Sequence, residues 1–513
     1  MRENVNSLGC FNLGNLSKTA AMACPDKEAL IDANVGKRCT YKELNERANS
    51  VANGFLSLGI KKGDFVSLLL MNCAEFVELH HALAKTGAII APLNYRLSPK
   101  ELESLINYSD SKALVFGRDF KPLLDDMKIG VEKYIVVGEE SEGDLIGYEE
   151  LAKYPSDEPN IEIDEDDVEL LEFTSGTTGL PKGYLLTHYM QSTAAIPVIA
   201  NHDLTFNDRV LIVFPMYGRV GWAWMFGPAV VRATICLMDF EPKRFLETVQ
   251  EEKITWVNLV PTMAQMILSY PDLGKYDLSS LRGVVFAGAP LPISIYEEVR
   301  KKITPNVYEY YGLQETAVLV AIRPEEKIKR PSSCGAPVNI IDVRIVDDQG
   351  KDLSVGEIGE VITRGPSITT GYYKQEDRTR EAVKEGWFYT GDLGRFDEDG
   401  YLYLMGRKKD MIVSGAQNVF AIEVEEALLH NPKVAECAVI GLPDEKWGER
   451  VTAVLKLKEG ENAAEDEMID YCREKMAHFK APKSVFFTDV IPKNPAGKVQ
   501  KFLLVEKYEG GKK

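Results

Sequence analysis

Between residues 64 and 138 the sequence alternates strand-length apolar runs with helix-like segments, and that alternation constrains the fold more than any other feature. DFVSLLLMN at 64–72 is a continuous apolar run of strand length. AEFVELHHALAKTG follows at 74–87, with Phe76, Leu79 and Leu83 at helical spacing and Gly87 placed to stop the helix. AIIAPLN reads as a strand again, after which Ser98 and Glu101 form a capping box with Pro99 at the first helical position. KALVFG and EKYIVVG continue the pattern, which returns at WVNLVPTM, LRGVVFAGAP and NVYEYYG. Strands this apolar need cover on both faces, which a doubly wound parallel sheet with helices on each side provides.

Beyond Pro331 the pattern changes. VRIVDDQGKDLSVGEIGEVITRG reads as strands joined by glycine-containing turns, closer to antiparallel or barrel structure. The last hundred or so residues read as a separate α+β unit, with VAECAVIG, RVTAVLKLKEG and KSVFFTD as strands and AEDEMIDYCREKMA as a helix. The expected class is therefore α/β: a large N-terminal domain of doubly wound sheets with a small barrel-like β region, then a small α+β domain. The polar junction GRKKD (406–410) marks the boundary, giving domains 1–408 and 409–513. The acidic run IEIDEDDVEL (161–170) reads as a solvated approach to the segment that follows it.

Composition narrows the function. The 513 residues carry a formal charge of −18, which argues against a nucleic-acid surface, so any bound nucleotide needs a local site. Eight cysteines are scattered without a CxxC pair, and the six histidines form no ligand cluster. His80 and His81 are adjacent on a helix, so at most one faces a given site. The start has no signal-like apolar segment, VGWAWMFGPAVV (220–231) is too short to span a bilayer, and the terminal GGKK is no peroxisomal address. A cytoplasmic protein is the expectation.

TSGTTGLPKG (174–183) holds three glycines, four hydroxyl residues and one lysine, an inventory for binding phosphate rather than for packing. It is no P-loop, because Pro181 stands where the second glycine of GxxxxGK[ST] belongs. Followed by Thr187-His188, it closely resembles the phosphate loop of the adenylate-forming superfamily, the acyl-CoA synthetases and their relatives. TYKEL (40–44), LAKTGAIIAPLN (83–94), FAGAPL (286–291), YYGLQET (310–316), GEIGEVITRGPSITTGYY, WFYTGDLGRFDEDGYLYLMGRKKD and NPAGKVQK resemble further signatures of that superfamily, in its order.

The resemblance implies two half-reactions. A carboxylate attacks the α-phosphate of ATP to give an acyl-adenylate and pyrophosphate; a thiol, usually that of coenzyme A, then displaces AMP. Thr174, Ser175, Gly176, Thr177, Thr178, Gly179 and Lys182 would wrap the outer phosphates. Glu315, with Thr174, would hold Mg²⁺, a hard cation suited to carboxylate and phosphate oxygens. Gly288, Ala289 and Pro290, with Glu309, Tyr310, Tyr311, Gly312 and Gln314, would bind the nucleotide, Tyr311 offering its ring to adenine. Asp392 and Arg407 would bind ribose. Lys498 would be the catalytic lysine, carried on a C-terminal domain that rotates about Lys409. Gly415 would then leave room for pantetheine near Trp447, for which core packing is the plainer role.

Some residues depart from the pattern. Gln314 replaces the usual threonine, Ala421 a proline and Lys501 an arginine. In PMYGRVG (215–221) an aromatic-histidine pair is usual, but the chain has Tyr217 and Gly218. Arg219 would meet a second substrate carboxylate or, more plainly, point to solvent. Tyr217, Gly218, Arg219 and Trp222 are the acyl-pocket candidates. No Asp or Glu stands between Leu211 and Met238, so a substrate ammonium would lack a partner and an amino acid is disfavoured. No carrier domain follows Lys498, so a diffusible thiol such as coenzyme A is expected. The expected function is an AMP-forming acyl-CoA synthetase for an apolar acid. The alternatives are an adenylase serving a separate carrier protein and a nucleotide-binding relative without turnover; monomer and homodimer stay open.

Overall fold

The computed structural model describes residues 12–174, 182–415, 417–493 and 499–509. The chain divides into two compact units, Met1–Asp342 with Arg364–Phe388, and Val343–Thr363 with Tyr389–Lys513. The sequence boundary at 408/409 falls inside the second unit.

The first unit contains two sheets. One has seven strands in the order Leu145–Gly147, Lys133–Val137, Ala113–Gly117, Phe65–Leu69, Ile89–Pro92, Val168–Thr174 and Lys182–Thr187. All neighbours run parallel except the last pair, an antiparallel hairpin. The other has nine strands, with a parallel centre running from Glu28–Asp32 through Thr234–Leu237, Arg209–Ile212, Trp256–Leu259 and Gly283–Phe286 to Val307–Leu313. Antiparallel strands close both ends: Lys37–Thr40 at one, Ala317–Ile322 and Ala336–Pro337 at the other. The sequence reading of doubly wound parallel sheets holds.

Two helices carry most of the layer in between. In Ala74–Thr86 every residue but Glu75 is buried, and Gly87 stops the helix in the left-handed region at φ 71°. Arg219–Val230 is buried without a break from Gly221 to Ala229, as a helix that is apolar all round has to be. The two meet where the His80 and Trp222 rings lie 4.1 Å apart. His80 Nε2 also lies 3.0 Å from Glu169 Oε1 on the strand Val168–Thr174. Both groups are fully buried, which corrects the reading of the acidic run as wholly solvated: its C-terminal end enters a strand paired on both sides. The capping box forms as expected, the Ser98 side chain accepting from the Glu101 amide and Glu101 from that of Ser98.

In the second unit, residues 392–396 of the strand Trp387–Phe396 pair antiparallel with Leu402–Arg407 around a glycine turn. The rest is the expected α+β unit. Its sheet runs Gln417–Val419, Ile412–Ser414, Gly448–Leu457, Val434–Asp444, with Ser484–Phe487 parallel beside Gly448–Leu457. Helices Ala421–Leu429 and Glu465–Lys475 pack Val424, Leu428 and Met468 onto Val451 and Val485.

Candidate active site

In the first unit the stem of the glycine-rich loop, Glu315 and the segment 369–373 converge. Thr174 and Lys182 face each other across the antiparallel pair and close it onto the loop. Ser175, Gly176, Thr177, Thr178 and Gly179 lie outside the described residues. Tyr372 bridges to the strand Lys182–Thr187 at Tyr184, and the Tyr373 amide donates to Gly183 O at 2.7 Å. Lys182 Nζ therefore sits 5.2 Å from the centre of the Tyr372 ring, and the Tyr372 hydroxyl donates to Glu315 Oε1 at 3.0 Å. Thr369 adds a bond from its amide to Glu315 O (2.9 Å) and from its hydroxyl to Leu185 O (3.0 Å).

Glu315 stands at the tip of the hairpin between Val307–Leu313 and Ala317–Ile322. The tip is tight: the Leu313 amide donates to Thr316 Oγ1 at 3.0 Å, the Thr316 amide to Leu313 O at 3.2 Å, and Ala317 takes φ 60°. A Cβ on Gly312 would lie 1.8 Å from Ala317 O, so only glycine fits there. Strand alternation sends the two tyrosines before it to opposite faces. Tyr310 is buried, its hydroxyl accepting from Asn258 Nδ2 at 2.9 Å, and burial pushes its pKa up to about 12. Tyr311 stays half-buried. Glu309 also turns inward, to the buried Lys327 ammonium and the Leu291 amide. Contact of Glu309 or Tyr310 with a ligand would therefore run through the backbone. Gly288, Ala289 and Pro290 follow the C-terminal end of Gly283–Phe286 and are exposed or half-exposed, at the strand ends where open parallel sheets bind ligands.

The segment 214–218 is pinned by Asn72, which donates to Phe214 O at 2.8 Å and accepts from the Met216 amide at 2.9 Å. Tyr217 packs its ring edge-on to Tyr95, 5.4 Å between centroids, and burial raises its pKa to about 12. Arg219 does not point to solvent. It is 3% exposed and donates to Gln314 O (3.1 Å) and Ser367 O (3.0 Å). Its amide bonds the buried Glu172, which also accepts from the Tyr184 hydroxyl, and burial raises the carboxyl to about 8. Trp222 is 1% exposed, against His80, Phe76 and Phe226, so it presents no surface to an open pocket.

In the second unit Asp392 and Arg407 sit opposite each other in register, Arg407 Nε 2.9 Å from the Asp392 carboxylate. Lys409 lies in the short turn Lys408–Asp410 that leads to Ile412–Ser414, and Lys408 pairs with Asp348 and Glu360. Gly415 takes φ 59°, and a Cβ there would lie 2.8 Å from the Trp447 ring. The space beside Gly415 is thus filled by Trp447 rather than left open. Trp447 itself is 36% exposed, with the ammonium groups of Lys446 and Lys483 4.8 and 5.8 Å from its ring centre. Lys498 lies outside the described residues.

Sequence reasoning missed Tyr372, Glu172 and the anchoring part of Arg219. Tyr372 was in view within GPSITTGYY, but only the bridge to Tyr184 shows what it reaches. Glu172 had a signal: an acid inside VELLEFT, an otherwise apolar strand, asks for a buried partner.

A doubly wound unit with a phosphate-type loop at its sheet edge, joined to a smaller α+β unit, is the architecture of the adenylate-forming superfamily. Residues 17–373 match the AMP-binding enzyme family and residues 423–498 its C-terminal domain, and the chain belongs to that family. It is 32% identical to the long-chain-fatty-acid–CoA ligase FadD13 of Mycobacterium tuberculosis over 97% of this chain and 98% of the relative. It is 34% identical to a feruloyl-CoA synthase from Amycolatopsis over 91% and 93%. Among solved structures, ATP-bound MatB from Rhodopseudomonas palustris superposes with a TM-score of 0.90 at 29% identity, over 98% of this chain and 99% of that one.

Proposed function

We propose that this enzyme is an AMP-forming acyl-CoA synthetase that uses magnesium and ATP to activate an apolar monocarboxylic acid. The observation that carries the reading is the convergence of Thr174, Lys182, Tyr372 and Glu315 at the stem of the glycine-rich loop. A carboxylate is a poor acyl donor because its leaving group would be oxide. Attack of its oxygen on the α-phosphorus of ATP expels pyrophosphate and gives a mixed anhydride whose leaving group is AMP.

Thr174, Ser175, Gly176, Thr177, Thr178, Gly179 and Lys182 hold the outer phosphates. Tyr372 fixes one oxygen of Glu315, and among the described residues Oε2 has no partner, which leaves a hard donor for Mg²⁺. The ion supplies charge neutralisation at the phosphates. No cluster of three or more His, Cys, Asp or Glu suited to a metal occurs among the described residues, which suits a cation held mainly by substrate oxygens. Tyr311 and the segment 288–290 take the adenine. Asp392, turned by Arg407, accepts from the ribose hydroxyls. Lys498 places a cation at the reacting α-phosphate and carboxylate.

Coenzyme A as the acceptor is supported by the curated relatives above, which are CoA ligases, and this disfavours a carrier-protein adenylase. Trp447, an exposed indole flanked by two ammonium groups, suits a ligand with an apolar arm and phosphates. Lys409 is the turning point between the two half-reactions. The test is acid-dependent exchange of labelled pyrophosphate into ATP, then thioester formation with coenzyme A over short, medium, long and aromatic acids. Exchange with thioester is the expected result. Exchange without thioester returns the carrier-protein adenylase, and no exchange with any acid overturns the reading.

A further inference from the structure

Among the described residues, nothing accounts for glycine at position 218. Its backbone is extended, φ −119° and ψ 154°, a conformation open to any residue. Among the described residues, a Cβ there would meet nothing closer than 3.9 Å, and its two neighbours at that distance are Pro215 O and Gln314 Nε2. Gly221, one turn into the same helix, is different: a Cβ there would lie 2.8 Å from Met216 Cα and Pro215 O. Packing explains Gly221 and leaves Gly218 unexplained.

Gln314 is held beside it. Arg219 donates to its carbonyl and to that of Ser367, so the main chain at 314 is fixed while the amide faces position 218. Gln314 Oε1 is buried and has no hydrogen-bond partner among the described residues. Its Nε2 end faces Gly218, and its Oε1 end is the one left without a partner. A buried, unsatisfied amide next to an unexplained missing side chain marks ground that a ligand completes.

We propose that Gly218 and Gln314 are a matched specificity pair: the absent side chain opens room for the Gln314 amide and for a ring or branch next to the carboxylate of the acid. The pair reads as one exchange of size, the volume given up at 218 being taken by the longer side chain at 314 and by substrate. This rests on the adenylation reading, in which Gln314 binds the nucleotide and Gly218 lines the acyl pocket, so that the pair stands where acid and nucleotide react. The ligand class is an acid with bulk close to its carboxyl group rather than a slim straight chain.

The test is acid-dependent pyrophosphate exchange with benzoate and with hexanoate. It compares the unaltered enzyme with Gly218→Ala, Gly218→His, Gln314→Thr and the Gly218→His/Gln314→Thr double variant. Gly218→Ala, whose Cβ the fold accommodates, should lower kcat/KM for benzoate about 10-fold and for hexanoate far less, the scale of one carbon in a fitted pocket. Gly218→His should lose about 100-fold and the double variant should recover at least about 10-fold of that, as coupled neighbours do. Exchange by the unaltered enzyme together with additive losses, or with Gly218→Ala affecting both acids equally, overturns the pair and leaves adenylation standing. No exchange by the unaltered enzyme with any acid overturns both.

Discussion

Tyr372 is the residue on which the loop stem and Glu315 both depend. Its hydroxyl is 3.0 Å from Glu315 Oε1 and its ring faces Lys182. Tyr372→Phe keeps the ring and removes the hydroxyl, leaving Glu315 less well oriented. The magnesium concentration giving half-maximal pyrophosphate exchange should rise, and kcat/KM for ATP should fall about 10-fold, the worth of one hydrogen bond to a charged group. Lys498→Ala should cost adenylation about 10²–10³ in rate, as loss of a preorganised donor does. It should spare thioester formation from a supplied acyl-adenylate, and equal loss of both steps would refute that role. The strand pairs Thr174–Lys182 and Asp392–Arg407 stand within motifs legible in the sequence, and their roles, like that of Glu315, belong to the proposed function. Arg219 was not legible. A charged residue at the start of a helix gives no sign of whether it faces water or, as here, two backbone carbonyls.

At the scale of elements, the parallel strands and their helices were readable because continuous apolar runs and 3.6-residue spacing have few other solutions. The capping box at Ser98 and the stop at Gly87 formed where read. The acidic approach to the loop was misread at Glu169, since charge outweighs its neighbours in a sequence pattern while tertiary burial decides its surroundings. The space attributed to Gly415 went to Trp447 for a similar reason: no local pattern says which distant ring fills a gap. The hairpin carrying Glu315 makes a sharper demand. Gly312→Ala would drive a Cβ into Ala317 O, forcing a backbone shift worth about 1–3 kcal/mol. Urea unfolding should show that loss, and ATP affinity should fall with it because the tip moves.

For the whole molecule, the buried layer between the sheets sets how stability follows pH. Burial raises the Glu169 and Glu172 carboxyls from 4.5 to about 8. Their contribution is complete below about pH 4.5 and is lost as pH rises through 8. The buried histidines run the other way. His81 is lowered to about 3, His188 and His202 to about 4, and His80 far below its usual value. They stabilise above pH 6.5, and that contribution is lost as pH falls from there toward 3–4. Stability should therefore decline on both sides of a near-neutral optimum. Glu169→Gln should flatten the decline above pH 7, read as the urea midpoint from pH 7 to 9, where the histidines no longer contribute to the slope. An unaltered alkaline slope would remove Glu169 from the account.

The seating of Trp447 against Gly415 has a practical side. Trp222, Trp224 and Trp256 are each no more than 1% exposed, whereas Trp447 is 36% exposed in the second unit. An aqueous quencher such as acrylamide will reach that one indole long before those three. The accessible, red-edge emission is thus shared by Trp447 and the partly exposed Trp387 of the first unit, and the fraction that coenzyme A dims or shields by settling on Trp447 is an intrinsic beacon for the smaller unit without any added dye.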